Sequence, residues 1–233
     1  MFDLSPDDWE ALRLSVKVGF VSTLGSLPIG FALAYALARG RFRLKWLISA
    51  LVALPLVLPP VVTGFFLLLA FGRNGWIGAW LYDWFGVTIA FKWTGAAVAA
   101  AVMGLPLMVT GMRLSLESVD RRLEIAARTL GASRVRAFLT VTLPLALPGV
   151  LAGAVMSFAR SFGEFGATIT FVSNIPGETR TLPIAIYTLL QTPSGDSAAM
   201  RLSLVSIVVS LAAIVLAEIL NRRLMQARPA DGV

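Results

Sequence analysis

The sequence predicts an all-α integral membrane protein: five transmembrane helices, one short re-entrant or interfacial helix, and an amphipathic helix in a polar loop. Composition is the first reason. Of 233 residues, 57% are hydrophobic and only 14% charged, and the mean hydropathy is +0.80, values outside the range of soluble globular domains. The second reason is pattern. Apolar stretches at 14–38, 46–71, 93–112, 145–171 and 202–221 are each long enough to cross the ~30 Å hydrocarbon core, which takes roughly 20 helical residues. The third is the placement of charge, which segregates by side of the membrane. No solenoid-period repeat or low-complexity tract interrupts the chain, so residues 1–233 read as one membrane domain.

The first stretch begins too late and runs too long for a cleaved signal peptide, and reads as a retained helix. The basic cluster Arg39, Arg41, Arg43 and Lys45 follows it. A second basic set, Arg113, Arg121, Arg122, Arg128, Arg134 and Arg136, lies between the third and fourth stretches, and Arg222, Arg223 and Arg228 follow the last. With five alternating crossings all three sets fall on one side, which the positive-inside rule makes the cytoplasm. The N-terminus, with Asp3, Asp7, Asp8 and Glu10, is then outside and the C-terminus inside, and 74–91 and 172–200 are exposed outside. This sidedness also explains the net charge of +7 without nucleic acid as a partner.

The second stretch contains Pro55, Pro59 and Pro60 ahead of Thr63 and Gly64. Prolines so close together interrupt the backbone hydrogen bonds, so the span is either simply kinked or forms part of a pathway wall, with Pro59, Pro60 and Thr63 as candidates. In the fourth stretch Gly149 and Gly153 have the small-xxx-small spacing of close helix packing. That packing serves either the subunit interior or a dimer axis. Further along, Glu164 sits in an apolar context one turn after Arg160. At 1.5 Å per residue from Pro144 it falls near the outer boundary. The pair is a structural ion pair, a gate element, or, through Glu164 alone, a cation site. Residues 182–190 are apolar but too few to span.

The polar loop, 113–144, is more than a connector. Leu123, Ala126, Ala127 and Leu130 recur at helical spacing as one apolar stripe, with Arg121, Arg122, Glu124, Ile125 and Arg128 at the other positions. Gly131 suits the left-handed residue that ends such a helix, and Ser133 can cap a second one carrying Val135, Phe138 and Leu139. The arrangement, helix, turn, helix, fits a peg for a partner's groove.

Several chemistries are excluded. With no cysteine and no histidine there are no thiols, disulfides, Cys/His metal sites or histidine acid-base groups. Paired carboxylates, nucleophile elbows and phosphate-cradling glycine loops are also missing from the sequence. It therefore suggests no catalytic residue, cofactor or metal, and any ATP that drives the protein binds another chain. A gradient-driven carrier or channel is the alternative of another class. Against it, only Arg160 and Glu164 are titratable groups clearly inside a span, with Glu218 near a cytoplasmic end.

The order Glu124-Ile125-Ala126-Ala127, Gly131, Leu143-Pro144 resembles the EAA loop of permease subunits in ATP-binding-cassette (ABC) importers, with Ile125 in place of the first alanine. The run Leu54 to Gly64, the block Phe162 to Thr168, Asn174-Ile175-Pro176-Gly177 and Thr181 to Tyr187 resemble the molybdate permease subunits of that class, with sulfate permeases as close relatives. The resemblance implies a type I importer permease bundle in a bacterial inner membrane. It implies a homodimer enclosing the pathway, two ATP-binding ABC subunits docked beneath, and a periplasmic oxyanion-binding protein delivering molybdate, or a related oxyanion such as tungstate or sulfate, from outside. Glu124, Ala126, Ala127 and Gly131 are implied to couple ATPase closure to the spans. Selection is expected to belong mainly to the binding protein, leaving only weak polar groups such as Thr63, Ser157 and Thr168 in the spans.

Overall fold

A computed structural model of the protein describes residues 4–226; Asp3 and Arg228 lie outside them. Helix α1 (Pro6–Arg39) starts with a capping box: the Asp8 N–H donates to Ser5 Oγ at 3.2 Å and the Ser5 N–H to Asp8 Oδ2 at 3.0 Å. Its buried face runs through Ala11, Leu14, Ser15, Val18, Ser22, Ser26 and Gly30, a helical period of small and apolar side chains.

The most enclosed element is α5 (Trp93–Ser118), whose Ala96, Ala99, Ala100, Met103, Met108, Met112 and Leu116 are buried. It packs most extensively against α1 and α8 (Leu143–Phe162). Small residues set that last contact. A Cβ built on Gly153 would stand 2.7 Å from the Met108 carbonyl oxygen, and one on Gly104 would stand 2.5 Å from Ser157 Oγ. On Gly149 it would collide with the Ser115 side chain. The Gly149-x-x-x-Gly153 spacing thus serves packing inside the subunit.

The second apolar stretch is not one helix. It is a pair, α2 (Lys45–Val57) and α3 (Pro60–Phe71), bent by 112° at Leu58–Pro59. Pro59 and Pro60 have no N–H to continue the ladder, and Pro60 is instead well placed at the first position of α3. Among the described residues, four single helices or helical rods are long and apolar enough to cross a membrane, and the bent pair makes a fifth crossing if it counts as one span. After α3, where the sequence suggested an exposed loop, α4 (Trp76–Phe85) folds back, with Gly75 and Gly78 tight against the last carbonyls of α3. Helix propensity is poor in this aromatic decapeptide, which is why tertiary contact rather than sequence pattern reveals it.

Two boundaries also move. Helix α5 runs past the apolar stretch and Arg113 to Ser118, so the first residues of the polar loop are helical. The fourth stretch breaks at Gly163–Phe165, leaving α8 and a short α9 (Gly166–Val172) in place of one span over 145–171. Within the polar segment, α6 (Arg121–Thr129) is capped by Asp120, and α7 (Arg134–Ala137) by Ser133, whose Oγ accepts from the Arg136 N–H at 3.2 Å. Gly131 between them has φ +93°, as its position after the first helix requires. Helix α7 then passes through a π-helical turn, Phe138–Thr142, directly into α8. The chain from Arg134 to Phe162 is one rod. Helix α10 (Leu182–Leu190) is the short apolar helix, held against α1 and α11 (Asp196–Gln226). Its first N–H, that of Leu182, donates to Ser15 Oγ of α1 at 2.6 Å.

The α5–α8 contact makes a direct prediction. Gly153→Ala should lower the stability of the detergent-purified protein by about 1–3 kcal/mol, because a methyl group has nowhere to go against the Met108 backbone. Gly25→Ala, at a helical glycine whose Cβ would meet nothing within 4 Å, should leave the melting temperature unchanged or slightly raised. Equal melting behaviour of the two variants would refute the close approach.

Candidate functional site

The candidate residues gather at two places, one at each end of α8. At the basic end of the bundle is the α6–α7 segment. Its apolar residues point away from the protein: Leu123 and Ile125 are about half exposed, Ala126 is exposed, and Leu130 is 89% exposed. Arg121, Arg122 and Arg128 are exposed as well, and the one carboxylate turns the other way. Glu124 is half-buried, and its Oε2 accepts from the hydroxyl of the buried Thr142 at 3.3 Å. The sequence reading put Glu124 with the outward-facing polar positions of α6. The structure instead places it between α6 and the π-helical turn, because Thr142 lies under the first turn of α6. Ala127 is half-buried beside it.

An apolar strip left in water beside exposed arginines, with the one carboxylate turned inward, departs from the ordinary amphipathic pattern. Burying that face against a partner would resolve it. The inward Glu124–Thr142 bond meanwhile ties α6 to the rod that becomes α8.

At the other end, the two broken helices meet. A Cβ on Gly166, the first residue of α9, would stand 2.7 Å from Pro60 Cβ, and one on Gly64 would stand 2.5 Å from the Ala167 carbonyl oxygen. Pro59, Pro60, Thr63, Arg160 and Glu164 thus belong to one junction, with Pro59 and Pro60 exposed and Thr63 buried. The Ser161 hydroxyl donates to the Ala100 carbonyl at 3.1 Å, which sets the α8–α9 break about 10 Å along α5 from its start at Trp93.

Glu164 is 3% exposed, and both of its oxygens are engaged. Oε2 lies 2.5 Å from Arg160 Nη1, and Oε1 accepts from the Ala167 N–H at 2.8 Å. The carboxylate therefore closes the α8–α9 break: it neutralises the arginine one turn back and holds a free N–H of the next helix. This geometry favours the ion pair over a cation ligand, and no group of acidic residues that could hold a metal occurs among the described residues. Arg160 also borders a cleft of about 460 Å³ with Met156, Ile214 and Glu218. Of the weaker polar candidates, Thr168 and Ser157 are buried, and the Ser157 and Thr63 hydroxyls have no partner among the described residues. Ser157 lies in the α5–α8 contact, away from the junction.

Sequence reasoning missed three features here. Thr142 is one of two threonines in Leu139-Thr140-Val141-Thr142, and nothing local separates the one that faces Glu124. Glu178 and Ser15 act as caps for distant helices: the Trp93 N–H at the start of α5 donates to Glu178 Oε1 at 3.3 Å, as that of Leu182 does to Ser15. Lys17 Nζ sits 3.5 Å from the centre of the Trp93 ring.

Known proteins place the two sites in context. A profile described as "Binding-protein-dependent transport system inner membrane component" matches residues 26–226, which include both ends of α8. The chain belongs to this family. It is 57% identical over 219 residues to the molybdenum transport system permease protein ModB of Escherichia coli K12, covering 94% of this chain and 96% of that one. To ModB of Haemophilus influenzae it is 54% identical, covering 93% and 94%. Among solved structures, a bacterial ABC transporter involved in import of the acidic polysaccharide alginate superposes with a TM-score of 0.74 over 94% of this chain and 80% of that chain. At 19% identity that likeness is one of fold. The chain is a membrane-embedded permease subunit of an ABC importer, a class that works with ATPase subunits and periplasmic binding proteins.

The junction can be tested by stability alone. Arg160→Met should cost about 3–5 kcal/mol by leaving the buried Glu164 carboxylate uncompensated, and Glu164→Gln should cost less, because the Arg160 side chain is 28% exposed. The double variant should recover most of that loss. Additive losses in a thermal or denaturant series would mean that the two side chains do not depend on each other.

Proposed function

We propose that this subunit moves molybdate inward, as a homodimer whose ATP hydrolysis takes place entirely on partner ABC subunits. The observation that carries the coupling part is the exposed apolar face of α6, joined by the Glu124–Thr142 bond to a helix that runs unbroken to the junction. Closure of two ATPase subunits would move that face. Because α7, the π-helical turn and α8 form one rod, displacement at α6 would shift the far end of α8, where Arg160, Glu164 and the Pro59–Pro60 break meet. Leu123, Ala126 and Leu130 would provide the docking surface, Glu124 and Ala127 the inner brace, and Gly131 the turn that sets the angle between the two short helices.

The choice of molybdate rests on the names of relatives more than half identical over nearly the whole chain. The second half of a pathway would come from another copy. Helices α2 and α3 present Leu51, Leu54, Val57, Val61 and Phe65 outward beside the break, a surface suited to lipid or to a second subunit. We place the basic end in the cytoplasm and the N-terminus outside, where the α9–α10 loop and the start of α1 would meet the binding protein.

Molybdate uptake into proteoliposomes holding the permease with its ATPase subunits, supplied with the periplasmic binding protein, tests the central reading. Accumulation should require internal ATP and survive collapse of the proton gradient; uptake without the ATPase subunits would refute it. Orientation is tested in whole cells with a membrane-impermeant thiol reagent, which should label Asn74→Cys and Ser197→Cys but not Arg43→Cys or Arg136→Cys.

Coupling is tested by two kinds of substitution. Leu123→Asp or Leu130→Asp should abolish co-purification of the ATPase while membrane insertion stays normal. Thr142→Val should keep the complex but lower molybdate moved per ATP hydrolysed severalfold. Full coupling in Thr142→Val would remove the brace from the mechanism.

A further inference from the structure

At the basic end, Tyr35, Arg39, Arg121, Glu124, Arg128 and Arg134, together with Ile125, line a cavity of about 300 Å³ between the end of α1 and the α6–α7 segment. Four arginines share this lining with one carboxylate, and that carboxylate already accepts from Thr142. Two of the arginines are held in place by main-chain carbonyls. Arg39 Nη2 donates to Val119 at 3.1 Å and Arg121 Nη2 to Ala38 at 3.4 Å, while Arg39 Nε is buried without a partner. Among the described residues, the Arg128 and Arg134 side chains have neither an ion-pair nor a hydrogen-bond partner. The cavity holds a surplus of fixed positive charge that the protein does not neutralise.

A second cavity of about 370 Å³ adjoins the first and shares Tyr35 and Arg134 with it. Its other walls are Phe31, Ala32, Val135 and Phe138, all apolar. Phe31, Tyr35 and Phe138 form a connected aromatic group, with ring centres 5.4–6.4 Å apart. It leads from the arginines along α1, back toward the apolar body of that helix. A basic chamber opening into an apolar groove at the membrane edge matches a ligand with an anionic head and a hydrocarbon tail. A free oxyanion or a nucleotide would use only the basic half.

We propose that this composite cavity binds an anionic phospholipid, its phosphate among Arg39, Arg121, Arg128 and Arg134 and an acyl chain along Phe31, Ala32, Val135 and Phe138. The lipid then fills the space between α1 and the coupling segment, so its headgroup charge bears on the position of α6, and of the exposed apolar residues there it borders Ile125 while Leu123 and Leu130 are not in its lining. The site rests on the reading of α6–α7 as the coupling element only for this consequence. Lipid binding itself is independent of orientation and transport.

Native mass spectrometry of the full-length permease in detergent, with and without its ATPase subunits, tests the proposal using dioleoyl phosphatidylglycerol against dioleoyl phosphatidylcholine. Phosphatidylglycerol should be retained preferentially, and Arg128→Gln combined with Arg134→Gln should reduce its affinity by about thirtyfold. Arg43→Gln with Arg136→Gln, an equal loss of charge outside the cavity, should change it little and controls for general electrostatics. Ala32→Trp, which obstructs the groove, should weaken phosphatidylglycerol but not soluble glycerol phosphate. The proposal is overturned by equal retention of the two lipids, or by an unchanged affinity in the Arg128/Arg134 variant. It is also overturned if glycerol phosphate displaces the lipid at equal concentration, which would make the cavity a free-anion site. Loss of the lipid when the ATPase subunits bind would assign the arginines to the protein interface instead.

Discussion

The close approach of α5 and α8 is the constraint from which the rest of this structure follows. In hydrocarbon there is little hydrophobic gain in bringing two apolar helices together, so association depends on contact and on interhelical hydrogen bonds. Glycine and serine allow both. Gly104, Gly111, Gly149 and Gly153 bring backbones within reach of each other. Ser115 Oγ bonds the Ala146 carbonyl and Ser161 Oγ bonds that of Ala100, which fix the register at both ends of the crossing. Once α8 is locked to α5, the break after Phe162 has a fixed depth, and the π-helical turn before Leu143 has a fixed exit point.

A fixed depth for a break brings a second requirement. An interrupted helix exposes N–H and C=O groups that lipid cannot satisfy. The protein meets this with side chains sent from other elements. Glu164 holds the start of α9, Ser15 the start of α10 and Glu178 the start of α5. Glu164 has the most demanding position, since its charge must also be neutralised, and Arg160 does so from the last turn of the helix that has just ended. The same residue type therefore reads as a functional charge in the sequence and as a structural closure in the fold. The two roles are compatible, because a break closed by an ion pair is also a place where the chain can change direction.

Periodicity made the long apolar helices legible, and capping chemistry did the same for the α6–α7 turn: Ser133 and the positive φ of Gly131 follow from local rules that no tertiary contact overrides. Proline spacing announced the α2–α3 break but not its 112° angle, which depends on where α9 lets Pro60 rest. Contacts between distant segments were not legible. Nothing near Glu124 in the sequence says that it turns inward to Thr142, eighteen residues on, rather than outward. Helix α4 was hidden for the opposite reason: its aromatic run has no marked helical preference, and it folds because Gly75 and Gly78 fit against the end of α3. The α8–α9 break was hidden because Gly163 and Gly166 in an apolar stretch read equally well as packing glycines.

The π-helical turn connects the two ends of the molecule. Pro144 cannot donate to the carbonyl four residues back, and its ring would crowd that carbonyl in a regular α-helix. Widening the preceding turn, so that the Leu143 N–H reaches the Phe138 carbonyl, relieves the conflict without ending the rod. A full helix break here would let α6–α7 move independently of α8, and a perfect α-helix would carry Thr142 to a different angle. The π-helical turn does neither: it keeps the rod continuous while presenting Thr142 to Glu124. A push on the exposed face of α6 therefore enters the rod through a side-chain bond as well as through the Gly131 turn. The glycine crossing with α5 lies between that entry point and the Glu164 junction. A rod held at an intermediate point and moved at one end tilts at the other. The coupling proposed for this subunit needs no further moving part than that.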